Sequence, residues 1–183
     1  MNRRSRIGAV VAFATALFAP LSLGACKTGP AATMQVKTSG AQVAAMARFT
    51  TYSHEENLTP PPGYATGRMT PELLEKVRMQ IDAHLQKKGY VLAPPGTGEL
   101  VVRIAWGVRT VLQEPTGAAA KAGASAQVDQ VGKLVVDVYE RANNSELFHG
   151  FAKDEIHSRD VNGTKVATAV DLLLEPVPTT GAR

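Results

Sequence analysis

Residues 99–113 read Glu-Leu-Val-Val-Arg-Ile-Ala-Trp-Gly-Val-Arg-Thr-Val-Leu-Gln, and this stretch decides the fold. In a β-strand, side chains alternate between two faces, so its even-numbered residues share one face. That face carries most of the large apolar residues, whereas Glu99, Arg103 and Arg109 lie on the other. We therefore expect a long strand whose even face lies in the core, with Trp106 buried there.

The clearest helix precedes this strand. Thr70 can cap its first N–H groups, Pro71 suits its first turn, and Gly89 can adopt the left-handed conformation that ends a helix. Apolar residues recur at helical spacing: Leu74, Val77, Ile81 and Leu85. The pattern predicts a helix whose apolar stripe covers Trp106 near Val77 and Ile81.

The other elements follow from alternation and from turn residues. Strands are predicted at residues 33–39, 47–53, 133–141 and 146–156, and a second helix at 164–174. Asn143-Asn144 suits a tight hairpin turn between the last two strands. Residues 114–130 are small and polar, and we expect a mobile loop there. This order predicts an α+β fold with an antiparallel or mixed sheet of about five strands and two helices packed on one face.

An export signal is predicted at residues 1–25. Leu23-Gly24-Ala25-Cys26 ends an apolar run that starts near Gly8 and follows three arginines. This lipobox pattern predicts cleavage between Ala25 and Cys26, with a lipid attached to Cys26, the only cysteine. The alternatives are a retained membrane helix, for which about 18 apolar residues interrupted by Pro20 are marginal, and an ordinary signal with a coincidental cysteine.

The domain boundaries follow from this anchor. We expect a short tether at residues 26–32, a single α+β domain at 33–178 and a tail at 179–183. The lipid on Cys26 would hold the domain at a membrane in the bacterial cell envelope. Lys27 replaces the aspartate that often retains lipoproteins at the inner membrane, so we expect the outer membrane, facing the periplasm.

The net charge argues against nucleic acid as a partner. The whole chain carries +4, but three of its twenty basic residues precede Cys26, which leaves the mature chain at +1. The single cysteine also excludes an internal disulfide.

Three blocks of sequence carry a resemblance to a known family. They are an aromatic-Thr-aromatic strand at residues 49–52, a helix end closing in Gly-Tyr at 81–90, and a strand pair at 132–137 and 147–152. With its lipobox, the chain resembles bacterial lipoproteins that carry domain of unknown function 4136, over about residues 33–178. It departs from their pattern at Phe148 and His149, where the family has Trp and Arg, and the acidic residue that commonly follows Gly-Tyr is displaced, with Glu99 as the candidate. The resemblance implies location and fold, and brings no agreed activity or catalytic residue.

The sequence predicts no metal or catalytic cluster around the histidines. His54-Glu55-Glu56 are adjacent, so they do not converge on one ion unless a loop folds back, and His84 suits the edge of the first helix. His157, Asp160 and Asn162 resemble part of a calcium loop, but Gly163 comes too early and the closing glutamate is missing.

His149 and Lys153 are expected on an exposed sheet face. Asp137 is the carboxylate to suspect in a cleft, but on a strand we expect it to pair with Arg103, Arg109 or Lys153. The sequence therefore predicts no catalytic residue, metal or cofactor.

Two functional hypotheses remain. The first is a non-enzymatic envelope module that binds a protein, lipid or wall component near the membrane. The second is a hydrolase of unfamiliar type that uses histidine and carboxylate residues on the polar sheet face. Convergence of any two of His149, Asp137, Arg103 and Lys153 in a concave pocket would favour the second.

Overall fold

The two longest strands form the centre of the sheet. Strand β4 (Leu100–Gln113) and strand β5 (Gln127–Glu140) pair antiparallel from Leu100–Glu140 to Gln113–Gln127. Leu100–Gln113 thus forms one continuous strand, as the alternation in residues 99–113 predicts.

The computed structural model describes residues 34–56, 59–67, 70–115, 117, 123, 125–155 and 163–181, all of which belong to one unit, Ala32–Arg183. Its elements, in chain order, are β1 (Gln35–Ser39), a 3₁₀ helix (Val43–Arg48), β2 (Thr51–Glu56), α1 (Pro71–Lys87), β3 (Val91–Leu92), β4, β5, β6 (Ser145–Glu155) and α2 (Gly163–Leu174).

The described strands form one mixed sheet in the order β1-β6-β5-β4-β2-β3. Strand β2 runs parallel to β3 and β4, and the other pairs are antiparallel. The predicted α+β class is confirmed, with six strands instead of about five. The additional strand, β3, has only two residues, which is too short for alternation to reveal.

Both helices cover the same face of the sheet, as predicted. Side chains from α1 and α2 share one core with the even-numbered residues of β4, and this core includes Val77, Ile81, Leu85, Leu100, Val102, Ile104, Val170, Leu173 and Leu174. The ends of α1 are those that the sequence predicts. The Thr70 Oγ1 accepts a hydrogen bond from the Leu73 N–H at 3.2 Å, and Gly89 has φ +92° after the last turn.

Two predicted strand boundaries were wrong. The second strand was expected at residues 47–53, but Val43–Arg48 forms a 3₁₀ helix around the fully buried Met46, and β2 begins at Thr51. Strand β5 begins at Gln127, six residues before the expected start, within the segment expected to be a loop. The outer parts of β4 and β5 pair beyond the helices, where Leu112 and Val128 are each 62% exposed, so no buried face marks them in the sequence.

The predicted position of Trp106 was also wrong. Its side chain packs against the core but is half-buried instead of buried, and it lines a cleft with Met34, Val166 and Ala169, the last two on α2.

The predicted hairpin joins β5 and β6, but of Asn143 and Asn144 only Asn144 has a positive φ, +55°. At the C-terminal end of the described chain, the Thr180 N–H donates to the Lys88 carbonyl and the Gly181 N–H to the Ala47 carbonyl, both at 2.9 Å. Among the described residues, no helix is long and apolar enough to cross a membrane.

Candidate functional site: a polar row and a cationic cleft

Four polar side chains form a row across the sheet face opposite the helices. Glu55 lies opposite Arg103, Arg103 opposite Asp137, and Asp137 opposite His149, on four successive strands. All four belong to odd-numbered positions of their strands, so the same alternation that builds the core places them together. We call this set the polar row.

Within the polar row, Asp137 and His149 form a close pair. The His149 Nδ1 lies 2.6 Å from the Asp137 Oδ1, and the Asp137 side chain is only 14% exposed. Burial raises the pKa of the Asp137 carboxyl, and the hydrogen bond to His149 opposes that rise. Asp137 lies opposite Arg103 on β4, one of its expected partners, but its carboxylate bonds to His149 and not to Arg103, Arg109 or Lys153.

The Arg103 side chain contacts Glu55 on β2. Its Nε donates to the Glu55 Oε2 at 2.8 Å, and its guanidinium carbon lies 4.5 Å from the centre of the Tyr139 ring. The hydrogen bond to Glu55 is the main cause that raises the pKa of Arg103. Arg103 therefore lies opposite Asp137 of β5 in register, but its side chain bonds to Glu55 of β2.

A third acidic group approaches the Asp137–His149 pair. Ligand atoms of Asp137, Glu146 and His149 all lie within 4.8 Å of one another. The pairing register shifts at Val138/Tyr139, and this β-bulge brings Glu146 into the group. One imidazole and two carboxylates could hold a divalent metal ion, although His149 already bonds to Asp137. A bulge cannot be read from alternation, so the sequence analysis missed Glu146.

On the helix-facing side, His54 belongs to a separate buried network. The Asp82 Oδ1 accepts a hydrogen bond from the Tyr52 hydroxyl at 2.7 Å and lies 2.7 Å from the His54 Nε2. Burial, followed by the bond to Asp82, raises the pKa of Tyr52 well above its ordinary value. His54 and Glu55 point to opposite faces of β2, so they do not share a metal site.

His84 lies on α1 and its Nδ1 is 3.3 Å from the Asp171 Oδ1 on α2, a contact between the two helices. The remaining candidates, His157, Asp160 and Asn162, lie outside the described residues, as do Ala25 and Cys26.

A cleft of about 560 Å³ opens at the β2 edge of the sheet. Strand β3 pairs only with Thr51 and Tyr52, so it leaves the later residues of β2 open on their outer side. The lining comes from β2, α1, β3 with the segment that follows it, and the turn after β5: His54, Glu55, Arg78, Leu92, Ala93, Pro95, Gly96 and Arg141. We call this the cationic cleft. Its volume falls in the range of small-molecule sites.

Arg78 and Arg141 were not predicted from the sequence. Arg78 lies on the helical face next to the apolar stripe, and Arg141 directly follows β5, so each resembles an ordinary surface cation in the sequence. The two arginines line one cleft only because the chain folds back after β3.

Comparison with known proteins assigns the family. The family model described as "Domain of unknown function (DUF4136)" matches residues 36–179. The chain belongs to this family. The DUF4136 match confirms the resemblance found in the sequence and gives no activity. None of the curated proteins matches the chain.

Some solved structures are similar to this chain. A leucine-to-methionine variant of the PelC dodecamer from Paraburkholderia phytofirmans is 13% identical, with a TM-score of 0.50, and the match covers 82% of this chain and 100% of PelC. A DUF4136 family protein from Bacteroides thetaiotaomicron is 12% identical, with a TM-score of 0.46, and the match covers 80% of this chain and 98% of that protein. At 13% identity the PelC match bears on the fold alone.

Proposed function

We propose that this DUF4136 protein is a lipid-anchored component of the bacterial cell envelope whose domain binds a ligand or partner near the membrane without catalysing a reaction. The cationic cleft is the observation that supports binding, because four separate parts of the chain contribute to one ligand-sized cavity. The lipobox at residues 23–26 supports the anchor.

The tether supports a position close to the membrane. Strand β1 begins at Gln35, nine residues after Cys26. Fully extended, this segment reaches about 30 Å. A domain held by a lipid on Cys26 therefore stays near the bilayer surface, with its ligand or partner in the same layer of the envelope.

Metabolic labelling tests the anchor. Cells expressing the wild type or Cys26→Ser are grown with an alkyne-bearing fatty acid, and the purified proteins are coupled to a fluorophore. We expect label on the wild type and none on the variant. Equal labelling of both proteins, or of neither, would contradict the anchor.

Site-specific photo-crosslinking in intact cells tests the binding role. A benzophenone amino acid replaces Leu92, an exposed residue of the cleft, or Val128, a matched exposed residue on β5 outside the cleft. We expect a discrete adduct from position 92 that Arg78→Gln weakens, and none from position 128. The same adducts from both positions would contradict a role for the cleft.

The hydrolase alternative has one observation in its favour, the Asp137–His149 pair at 2.6 Å. A panel of ester, amide and glycoside substrates tests this alternative, since turnover by the wild type that Asp137→Asn abolishes would replace the binding proposal.

A further inference from the structure

Four basic residues form a diagonal line across the sheet face opposite the helices. Lys133 of β5 lies directly opposite Lys153 of β6. Lys37 of β1 is a diagonal neighbour of Lys153, and Arg109 of β4 is a diagonal neighbour of Lys133. All four positions are odd-numbered, like the polar row, so their side chains project from the same face. We call these four residues the basic stripe.

The basic stripe has aromatic neighbours instead of carboxylate partners. The Lys133 Nζ lies 4.3 Å from the centre of the Phe151 ring, and the Arg109 guanidinium carbon lies 5.3 Å from the centre of the Tyr64 ring. Within the part of the chain that the structure describes, no salt bridge includes a member of the stripe. Like charges directly opposite each other repel, so an anion bound beside Lys133 and Lys153 would remove an unfavourable interaction.

Two carboxylates lie beside the basic stripe on the same face. They are Glu155 of β6 and Asp129 of β5, and they keep their charge, so the four cations of the stripe exceed them by two. The polar row, with its own carboxylates, lies four residues along β5 from Lys133, which is about 13 Å. That distance exceeds the screening length of about 10 Å at moderate ionic strength. This end of the sheet face is therefore basic.

The chain enters the domain within the basic stripe. Gln35, the first residue of β1, lies directly opposite Lys153, and Lys37 follows two residues later. Gln35 is nine residues after Cys26, so a fully extended tether from a lipid on Cys26 reaches the stripe within about 30 Å. A lipid anchor at Cys26 would therefore hold the stripe close to lipid headgroups.

We propose that the basic stripe docks the domain onto an anionic phospholipid surface, that of the membrane which holds its anchor. This inference rests on the proposed lipid anchor and adds an orientation, with the open sheet face toward the bilayer and the helices away from it. Charge complementarity and the point where the tether enters the domain both favour this partner, because clustered lysine and arginine residues near a bilayer are attracted to anionic headgroups.

Quenching of a fluorophore by a headgroup-labelled lipid tests the docking. The lipidated protein is extracted from membranes and carries one added cysteine for the fluorophore. Ser39→Cys places it on the open sheet face, and Met79→Cys places it on α1, where residue 79 is 62% exposed. Each protein is inserted into phosphatidylcholine vesicles that contain a nitroxide-labelled headgroup, with or without roughly one third of phosphatidylglycerol.

Two double variants separate the basic stripe from general charge. Lys37→Gln with Lys153→Gln removes two cations of the stripe. Lys76→Gln with Lys87→Gln removes two exposed cations from α1 and is the matched control, since the net charge changes equally.

We expect phosphatidylglycerol to increase quenching at position 39 and to change it little at position 79. Because each lysine near an anionic surface contributes about 1 kcal/mol, the stripe variant should weaken the docking equilibrium about thirtyfold, and the control variant should leave it unchanged. High salt should reverse the effect of phosphatidylglycerol, since it screens exposed charges.

Protein that floats with both kinds of vesicle but shows equal quenching at position 39 in each would overturn the docking and leave the anchor intact. Equal effects of the two double variants, or an equal increase at positions 39 and 79, would overturn it as well. Binding of soluble polyphosphate without any response to phosphatidylglycerol would assign the basic stripe to a soluble anion instead. Protein that does not float with phosphatidylcholine vesicles would contradict the anchor and, with it, this inference.

Discussion

Asp137 and Glu99 are carboxylates that the fold treats in opposite ways. Asp137 is buried in the polar row, and the loss of water raises its pKa more than the bond to His149 lowers it. The Glu99 Oε2 accepts hydrogen bonds from the backbone N–H and the hydroxyl of both Thr50 and Thr51, which lower its pKa. Glu99 thereby joins the start of β4 to the start of β2. Folding therefore disfavours the charged form of Asp137 and stabilises the charged form of Glu99.

These shifts predict opposite pH dependences of stability. A raised folded pKa means that the wild type gains stability relative to Asp137→Asn as the pH falls from neutrality to about 4, the unfolded value. A lowered folded pKa means that the advantage of the wild type over Glu99→Gln is present above about pH 4.3 and is lost as the pH falls through the folded value. Urea unfolding of the three proteins from pH 7 to 3 measures both differences. Trends of the same sign would contradict this assignment.

At the scale of elements, Lys88 joins the end of α1 to the end of α2. Its Nζ donates to the carbonyls of Leu174 at 3.0 Å and Glu175 at 2.8 Å, and also to that of Val177. These carbonyls lie at and just beyond the C-terminal end of α2, where a helix favours a cation. The contact holds α2 over the sheet although loss of water lowers the pKa of Lys88.

Replacing Lys88 should therefore loosen the pair of helices. We expect Lys88→Met to lower the free energy of unfolding by about 2–3 kcal/mol, because it keeps the aliphatic chain and removes a charged donor from several carbonyls. Lys87→Met changes the adjacent, exposed residue and should cost within about 0.5 kcal/mol. Urea denaturation measures both, and similar losses would contradict the role of Lys88.

Elements with a strong local signal could be predicted from the sequence. Helix α1 follows from the Thr70 cap, the apolar stripe and Gly89, and β4 follows from its alternation. Elements whose first and last residues depend on pairing with a distant strand could not be predicted from the sequence. The two residues of β3 are a strand only because β2 lies beside them, and the early part of β5 is set by its partner β4.

Part of the candidate site could also be predicted, because the alternation within each strand is a local signal. Alternation places Arg103, Asp137 and His149 on the polar face, but it does not determine which of them bond. The bulge after Val138 and the salt bridge from Glu55 decide that Asp137 pairs with His149. Arg78 and Arg141 carry no local signal, since the cleft that joins them is formed by tertiary structure.

At the scale of the whole molecule, a DUF4136 domain is joined to a proposed lipid anchor at Cys26. The domain supplies a mixed sheet covered by two helices on one face, with the cationic cleft at the β2 edge. The anchor would supply the location. Acyl chains contribute about 0.8 kcal/mol per buried methylene, so several chains on Cys26 would make attachment effectively permanent.

The residue after the cysteine predicts the membrane. Since Lys27 is not the aspartate associated with inner-membrane retention, we expect the protein in the outer membrane of a bacterium with two membranes. Density-gradient fractionation of cell envelopes locates it, and Lys27→Asp should shift it toward inner-membrane fractions. Wild-type protein wholly with inner-membrane markers would contradict the prediction.

The mass of the N-terminal tryptic peptide of protein extracted from membranes tests the central claim most directly. We expect the dipeptide Cys26-Lys27 carrying a lipid on its thiol, with no peptide from residues 1–25 in the mature protein. A peptide spanning residues 7–27 with a free thiol on Cys26 would contradict both the cleavage and the anchor.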